Sequence, residues 1–185
     1  MEQAFYLSFD FVQPANKRFF IAQDISGSMT SPAPGLTGIS CLEASACLSL
    51  VTLKTEPALF YGVFNHQFEP RVVNSDMNMK SFMVAAGHWA GGSTSCSAPM
   101  EYATKHKIPV DVFAVYTDNE TYAGRVHPHI ALKEYRQKMG INAKMVVVSI
   151  TANPFTIADP KDAGSLDVVG FDTSTPSVLS AFAAS

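Results

Sequence analysis

Asp24, Ser26 and Ser28 stand at alternate positions in the stretch Asp24-Ile25-Ser26-Gly27-Ser28. They close a strand-like segment, Lys17 to Gln23, whose centre Phe19-Phe20-Ile21-Ala22 is an uninterrupted apolar run. In extended chain, positions two apart point to the same side. With Gly27 supplying the turn, one carboxylate and two hydroxyls converge on a point above the sheet. An all-oxygen set of this kind suits a hard cation such as magnesium. Two of the three donors are neutral, so the ion needs further oxygen ligands, one of them from a partner. The same serines also fit as caps of a following helix. From this stretch alone the two readings stand level.

Two other stretches carry oxygen side chains to matching places. One is Ser93-Thr94-Ser95, after Gly91-Gly92; the other is Thr117-Asp118-Asn119-Glu120, at the end of an apolar run. An aspartate at a strand end also suits a phosphotransferase of the haloacid-dehalogenase type. That chemistry wants a second carboxylate two residues on as general acid or base, and Ser26 holds that place. No G-x-x-x-x-G-K-[ST] or G-x-S-x-G sequence is present, which removes P-loop and α/β-hydrolase chemistry. The five histidines, including His127 and His129 around Pro128, lie on different segments without ligand spacing and are read as helix-start or surface residues.

The segments that must position these residues alternate between strand and helix. After the first strand, residues 31–35 form a loop by composition. A helix is expected from Thr37 to Lys54, stopped by Pro57, and apolar on more than one face. Ala58 to Asn65 and Phe68 to Asn74 read as strands joined in a hairpin through Asn65-His66-Gln67. Asp76 is expected to cap a helix carrying Met79, Phe82, Met83 and Ala86, and Pro99 opens another. Val110 to Thr117 is a central strand. Pro128 starts a helix that Gly140 ends. Strands follow at Lys144–Ile150 and Leu166–Val169, then a terminal helix with Val178, Leu179 and Phe182. This order predicts an α/β fold: a doubly wound, mostly parallel sheet with one antiparallel edge strand and helices on both faces. Ligands in such folds collect at the carboxyl ends of the strands.

A chain of 185 residues suits one domain, here residues 17–185, with 1–16 as an aromatic-rich arm. The formal charge of −3 gives no electrostatic footprint for nucleic acid or an acidic membrane. Residues 125–144 are locally basic, which reads first as a solvated helix face. Cys41, Cys47 and Cys96 form no C-x-x-C pair, so neither zinc nor a disulfide framework is indicated. Neither a signal peptide nor a run of about 18 uncharged apolar residues occurs. A soluble, cytoplasmic or also nuclear protein in a reducing compartment is expected.

Taken together, the three oxygen-bearing loops complete the pattern of a von Willebrand factor A domain. The resemblance sets that family's five metal-site residues on Asp24, Ser26, Ser28, Thr94 and Asp118, all with suitable side chains. It implies that Ser26, Ser28 and Thr94 touch Mg2+ (or Mn2+ or Ca2+), and that Asp24 and Asp118 hold its waters or orient the serines. Longer runs resemble the Ro ribonucleoprotein autoantigen family (SS-A/Ro, with its TROVE ring). These are 117–124, Val126-His127-Pro128, 131–136, Phe155 to Pro160 and Leu166 to Asp172. The Gly-rich loop departs from that pattern at Ser93, directly before Thr94. The resemblance implies a non-catalytic module that binds a cation at an ion-dependent adhesion site and recruits a protein through an Asp or Glu carboxylate. A structural plug with a vestigial site is its bland counterpart. Binding of Y RNA and misfolded non-coding RNA belongs, by the same resemblance, to a helical-repeat ring whose repeats do not occur in this sequence.

Overall fold

The computed structural model describes residues 12–86, 91–118, 126–152 and 157–185. Strand β1 spans Arg18–Asp24, and from Phe19 onward it is buried on both faces. It lies between two parallel neighbours, β2 (Ala58–Phe64) and β4 (Val112–Thr117). Beyond β4 come β5 (Lys144–Ser149) and β6 (Ser165–Val169), also parallel. On the other side β3 (Phe68–Pro70) returns antiparallel to β2 and forms the edge. The order is β3-β2-β1-β4-β5-β6, the doubly wound sheet with one antiparallel edge strand expected from the alternation.

Five α-helices cover the sheet. Alternation along β1 divides the core: Phe19 and Ile21 face a cluster with α1 (Cys41–Thr55), α2 (Met79–Ala86) and α5 (Thr175–Ala184). Phe20 and Ala22 face one with α3 (Ala98–His106) and α4 (Pro128–Met139). Helix α1 carries Leu48, Leu50, Val51 and Leu53 buried around its surface, as a helix pressed on a sheet and flanked by two others must. Among the described residues no helix is long and apolar enough to cross a membrane. Among the described residues the cysteines form no disulfide.

Several boundaries differ from the sequence expectation. Helix α1 begins at Cys41 rather than Thr37. Ser40 takes the N–H of Glu43 while the Glu43 carboxylate takes the N–H of Ser40, a capping box that stops the helix from extending backwards. Asp76 does not cap α2; Asn78 does, its side chain accepting from the Ser81 N–H at 2.9 Å. Strand β3 ends at Pro70 instead of Asn74, with one further ladder bond from the Arg71 N–H to the Tyr61 carbonyl. Proline has no N–H to give a ladder, and the chain leaves the sheet there. Pairing with β3 also depends on Gly62, where a Cβ would sit 2.2 Å from the Phe68 ring. Of the N-terminal arm, residues 1–11 lie outside the described residues. Residues 12–16 run irregularly, and the Glu56 carboxylate accepts the N–H groups of Ala15 and Asn16.

Candidate functional site

The chain runs outward from β1 through β2 to β3, then returns to the other side of β1 with β4. The carboxyl ends of β1 and β4 are therefore the switch point, where the loops diverge and leave a crevice. Asp24 ends β1 and Asp118 follows β4. The Gly91–Ser95 loop is drawn to the same place by main-chain bonds: Gly91 N–H to the Ile25 carbonyl at 2.9 Å, and Ser95 N–H to the Asn65 carbonyl at 2.8 Å. Gly92, at φ +82, makes the bend that an L side chain rarely adopts.

Asp24 is fully buried and both its oxygens are engaged. Oδ1 accepts the Ser26 N–H at 2.7 Å, and Oδ2 accepts the Thr117 hydroxyl at 2.7 Å. The first contact folds Asp24-Ile25-Ser26 into a tight turn, which brings the Ser26 and Ser28 hydroxyls within 3.2 Å of each other. A short 3-10 helix, Gly27–Thr30, follows, and Ser26 occupies its cap position without making a side-chain cap bond. The helix-cap reading of Ser26 is thus set aside by geometry. Its hydroxyl faces Ser28 instead.

Burial drives the Asp24 carboxyl up to about 7, against the hydrogen bonds from Ser26 and Thr117 that favour the charged form, with the Asp118 charge adding to the rise. Asp118 itself is 5% exposed, and its Oδ1 is buried without a hydrogen-bond partner among the described residues. Two carboxylates are thus buried at these strand ends, and none of the salt bridges among the described residues reaches either one. Thr94 is buried on the second loop. No hydrogen bond joins its side chain to the other four residues among those described. Asp24, Ser26 and Ser28 are linked directly, Asp118 by its charge, and Thr94 only through the backbone of its loop.

Thr117 was not among the sequence candidates, yet it is the residue that aims Asp24. Its signal was available in strand register. Gln23 pairs with Tyr116, so the next residues, Asp24 and Thr117, come side by side. Ser149 pairs with Thr117 on the far side, and its hydroxyl is also buried without a partner among the described residues. No three His, Cys, Asp or Glu side chains gather among the described residues. The oxygen donors here are mostly hydroxyls.

Comparison with known proteins follows from this geometry. Residues 18–183 match the model of the family described as Ro60 vWA domain. The RNA-binding protein RO60 of Deinococcus radiodurans is 46% identical over 184 residues, which cover 99% of this chain and 35% of that protein. The crystal structure of the Deinococcus radiodurans RO (RSR) protein superposes with a TM-score of 0.88 at 46% identity, over 99% of this chain and 37% of that one. Proximal thread matrix protein 1 from the mussel byssus, solved with a zinc-occupied MIDAS motif, shares the fold at a TM-score of 0.57 and 10% identity, over 94% of this chain and 48% of that one. The chain spans about a third of the length of the curated relative it matches.

Proposed function

The chain belongs to the Ro60 vWA domain family, and from that premise we propose that it is the non-catalytic, cation-binding module of a Ro-type ribonucleoprotein. The observation that carries the reading is the pair Asp24 and Asp118, buried together beside the Ser26 and Ser28 hydroxyls, with one Asp118 oxygen lacking a partner among the described residues. Burying a carboxylate without a counter-charge is costly. A divalent cation supplies that charge, and magnesium, or manganese or calcium, matches all-oxygen donors. Ser26 and Ser28 would hold it directly, with Thr94 from the second loop. Asp24 and Asp118 would bind its waters and orient the hydroxyls. When bound, the ion offers an open position to an Asp or Glu carboxylate of a protein partner. Cysteines that form no disulfide among the described residues fit work in the cytoplasm.

Adding magnesium or manganese is expected to raise the melting temperature of the chain. At tenfold above Kd the ion adds about 1.4 kcal/mol, or about 3–6 °C for a domain of this size. Ser26→Ala deletes a hydroxyl that lies 3.2 Å from that of Ser28 and also supports the Asp24 carboxylate. It should leave the metal-free fold within about 1 kcal/mol while removing the response. Equal melting with and without millimolar ion, or an unchanged response in Ser26→Ala, would leave the site without its function.

An enzyme reading lacks a proton relay. The phosphotransferase alternative needs a carboxylate where Ser26 stands, and Thr117 already occupies the inward oxygen of Asp24.

The relatives are RNA-binding proteins, but this chain, about a third of their length, is expected to bind RNA poorly by itself. Affinity for the backbone comes from Lys and Arg neutralising phosphates, and the basic segment is largely occupied internally. Arg136 donates to the Ala143 carbonyl and pairs with Asp162 at 2.8 Å. Lys144 Nζ donates to the Phe182 carbonyl at 2.8 Å, and Lys138 pairs with Glu134. Fluorescence anisotropy with a structured RNA at near-physiological salt should show a Kd no tighter than about 10⁻⁶ M, the non-specific range. Sub-micromolar binding that weakens steeply with salt would place an RNA surface on the module itself.

A further inference from the structure

Two histidines outside the oxygen-rich crevice meet at the start of α4. His127 is the residue that caps the helix, and His129 lies in its first turn. Their Nδ1 atoms are 2.6 Å apart, with ring centroids at 4.4 Å and planes inclined by 47°. Both are helix-start residues, as read from the sequence, but they belong to one element and their rings meet, which that reading did not expect. The His127 Nδ1 also accepts the main-chain N–H of His129 at 3.5 Å, which makes it a nitrogen with its lone pair turned toward the helix start. The His129 Nδ1 is aimed at the same point, and a proton shared between the two rings satisfies both.

We propose that His127 and His129 form a second, nitrogen-donor metal site that takes a borderline transition-metal cation, Cu2+ or Zn2+, in place of that shared proton. Imidazole nitrogen suits these ions and not magnesium, so the two sites divide cations by donor type. Pro128, at the first helical position, fixes the backbone between the two rings, and His127 holds an extended cap conformation at φ −68 and ψ 144. The backbone between the donors is therefore set before the ion arrives. The rings need only turn enough to open their nitrogens from 2.6 Å to the roughly 3 Å that two bonds to one ion require, which releases the long contact from the His129 N–H. Partial burial lowers the proton affinity of His127, the charge of His129 lowers it further, and Asp159 opposes both. Metals take the neutral ring, so proton competition is weakened, and the Asp159 charge favours a cation nearby. The positive end of the helix works the other way, by about two- to thirtyfold in affinity. Two protein donors leave the remaining positions to water, as expected of an open site with no third His, Cys, Asp or Glu gathered beside it among the described residues.

The test uses one equivalent of Cu2+ added to the whole chain in saturating Mg2+, read by electron paramagnetic resonance. Nitrogen hyperfine splitting reports imidazole ligands and is absent from an all-oxygen site. The wild type should show splitting from two nitrogens. His127→Asn retains a capping side chain, and His129→Ala removes only the second ring. Losing even an outer partner of a metal-binding histidine costs about 10- to 100-fold, so each variant should weaken Cu2+ at least about tenfold, and the double variant should lose the two-nitrogen pattern. Circular dichroism checks that the helix persists, and His129→Ala alone decides the matter where the cap variant loses it. A pattern that survives in the double variant assigns the copper to other histidines and overturns the proposal. An oxygen-only spectrum in the wild type overturns it equally.

Discussion

Asp24→Asn is expected to stabilise the metal-free chain at pH 8 and to abolish its response to magnesium. Burial raises the Asp24 carboxyl from 3.8 to about 7, so the fold prefers the neutral acid. For an acid raised in this way the stabilising contribution is full below the unfolded value, near pH 4. It is lost as pH climbs toward and through 7. The whole shift corresponds to about 4 kcal/mol, of which about 2.5 kcal/mol falls between pH 5 and pH 8. That is a melting change of about 5–10 °C in a domain of this size. A bound cation reverses the preference by favouring the carboxylate. Asparagine keeps an acceptor for the Ser26 N–H, and the Thr117 hydroxyl can turn to accept from the new amide, so the fold should tolerate the change. Melting curves at pH 5 and pH 8, with and without magnesium, make the test. A wild type whose metal-free stability is flat across that range would show that the Asp24 charge is not the cost described here.

The second large effect belongs to the scaffold. Phe20 is fully buried, and its ring stacks on Phe60 at 4.9 Å and contacts Phe68 at 4.8 Å and Phe113 at 5.4 Å. Four strands, β1 to β4, meet on that one side chain. Phe20→Ala should cost about 3–5 kcal/mol through lost transfer energy and the cavity left behind, a fall of roughly 10 °C in melting temperature. Val72, 90% exposed on the segment after β3, is the control: Val72→Ala should stay within about 0.5 kcal/mol. Comparable losses in the two variants would mean that the aromatic stack is not where the domain keeps its stability.

How much of this was legible in the sequence depends on how local each feature is. The apolar runs at Phe19–Ala22 and Met145–Val148 are continuous because both faces of a central parallel strand are covered, and they located β1 and β5 correctly. The start of α1 was misplaced by four residues, although Ser40-x-x-Glu43 spells a capping box in plain sequence. Asn78 was passed over for Asp76 because either type caps well, and only the tertiary position of Phe82 selects between them. The convergence of Ser26 and Ser28 was legible from alternate spacing. What Asp24 does was not. Its partner Thr117 is 93 residues away, and the contact exists only once β1 and β4 are side by side. The meeting of His127 and His129 needed the cap conformation of His127 together with the first turn of α4, which no pattern of residue types encodes.

The strand order has a further consequence, in time rather than space. Of the strands in this sheet β1 leaves the ribosome before the others, yet its two ladder partners begin at Ala58 and Val112. At roughly 5–20 residues per second, the wait from Phe19 to Val112 lasts about 5–20 s. Until then Phe19-Phe20-Ile21-Ala22 has at most one neighbour to pair with, and its other edge stays open. Strand pairing across such separations carries a large loop-closure cost before any contact repays it, which makes the topology a slow folder. The arrangement that brings Asp24 and Asp118 to a single crevice thus obliges the nascent chain to carry an unsatisfied hydrophobic edge from the synthesis of β1 until that of Val112.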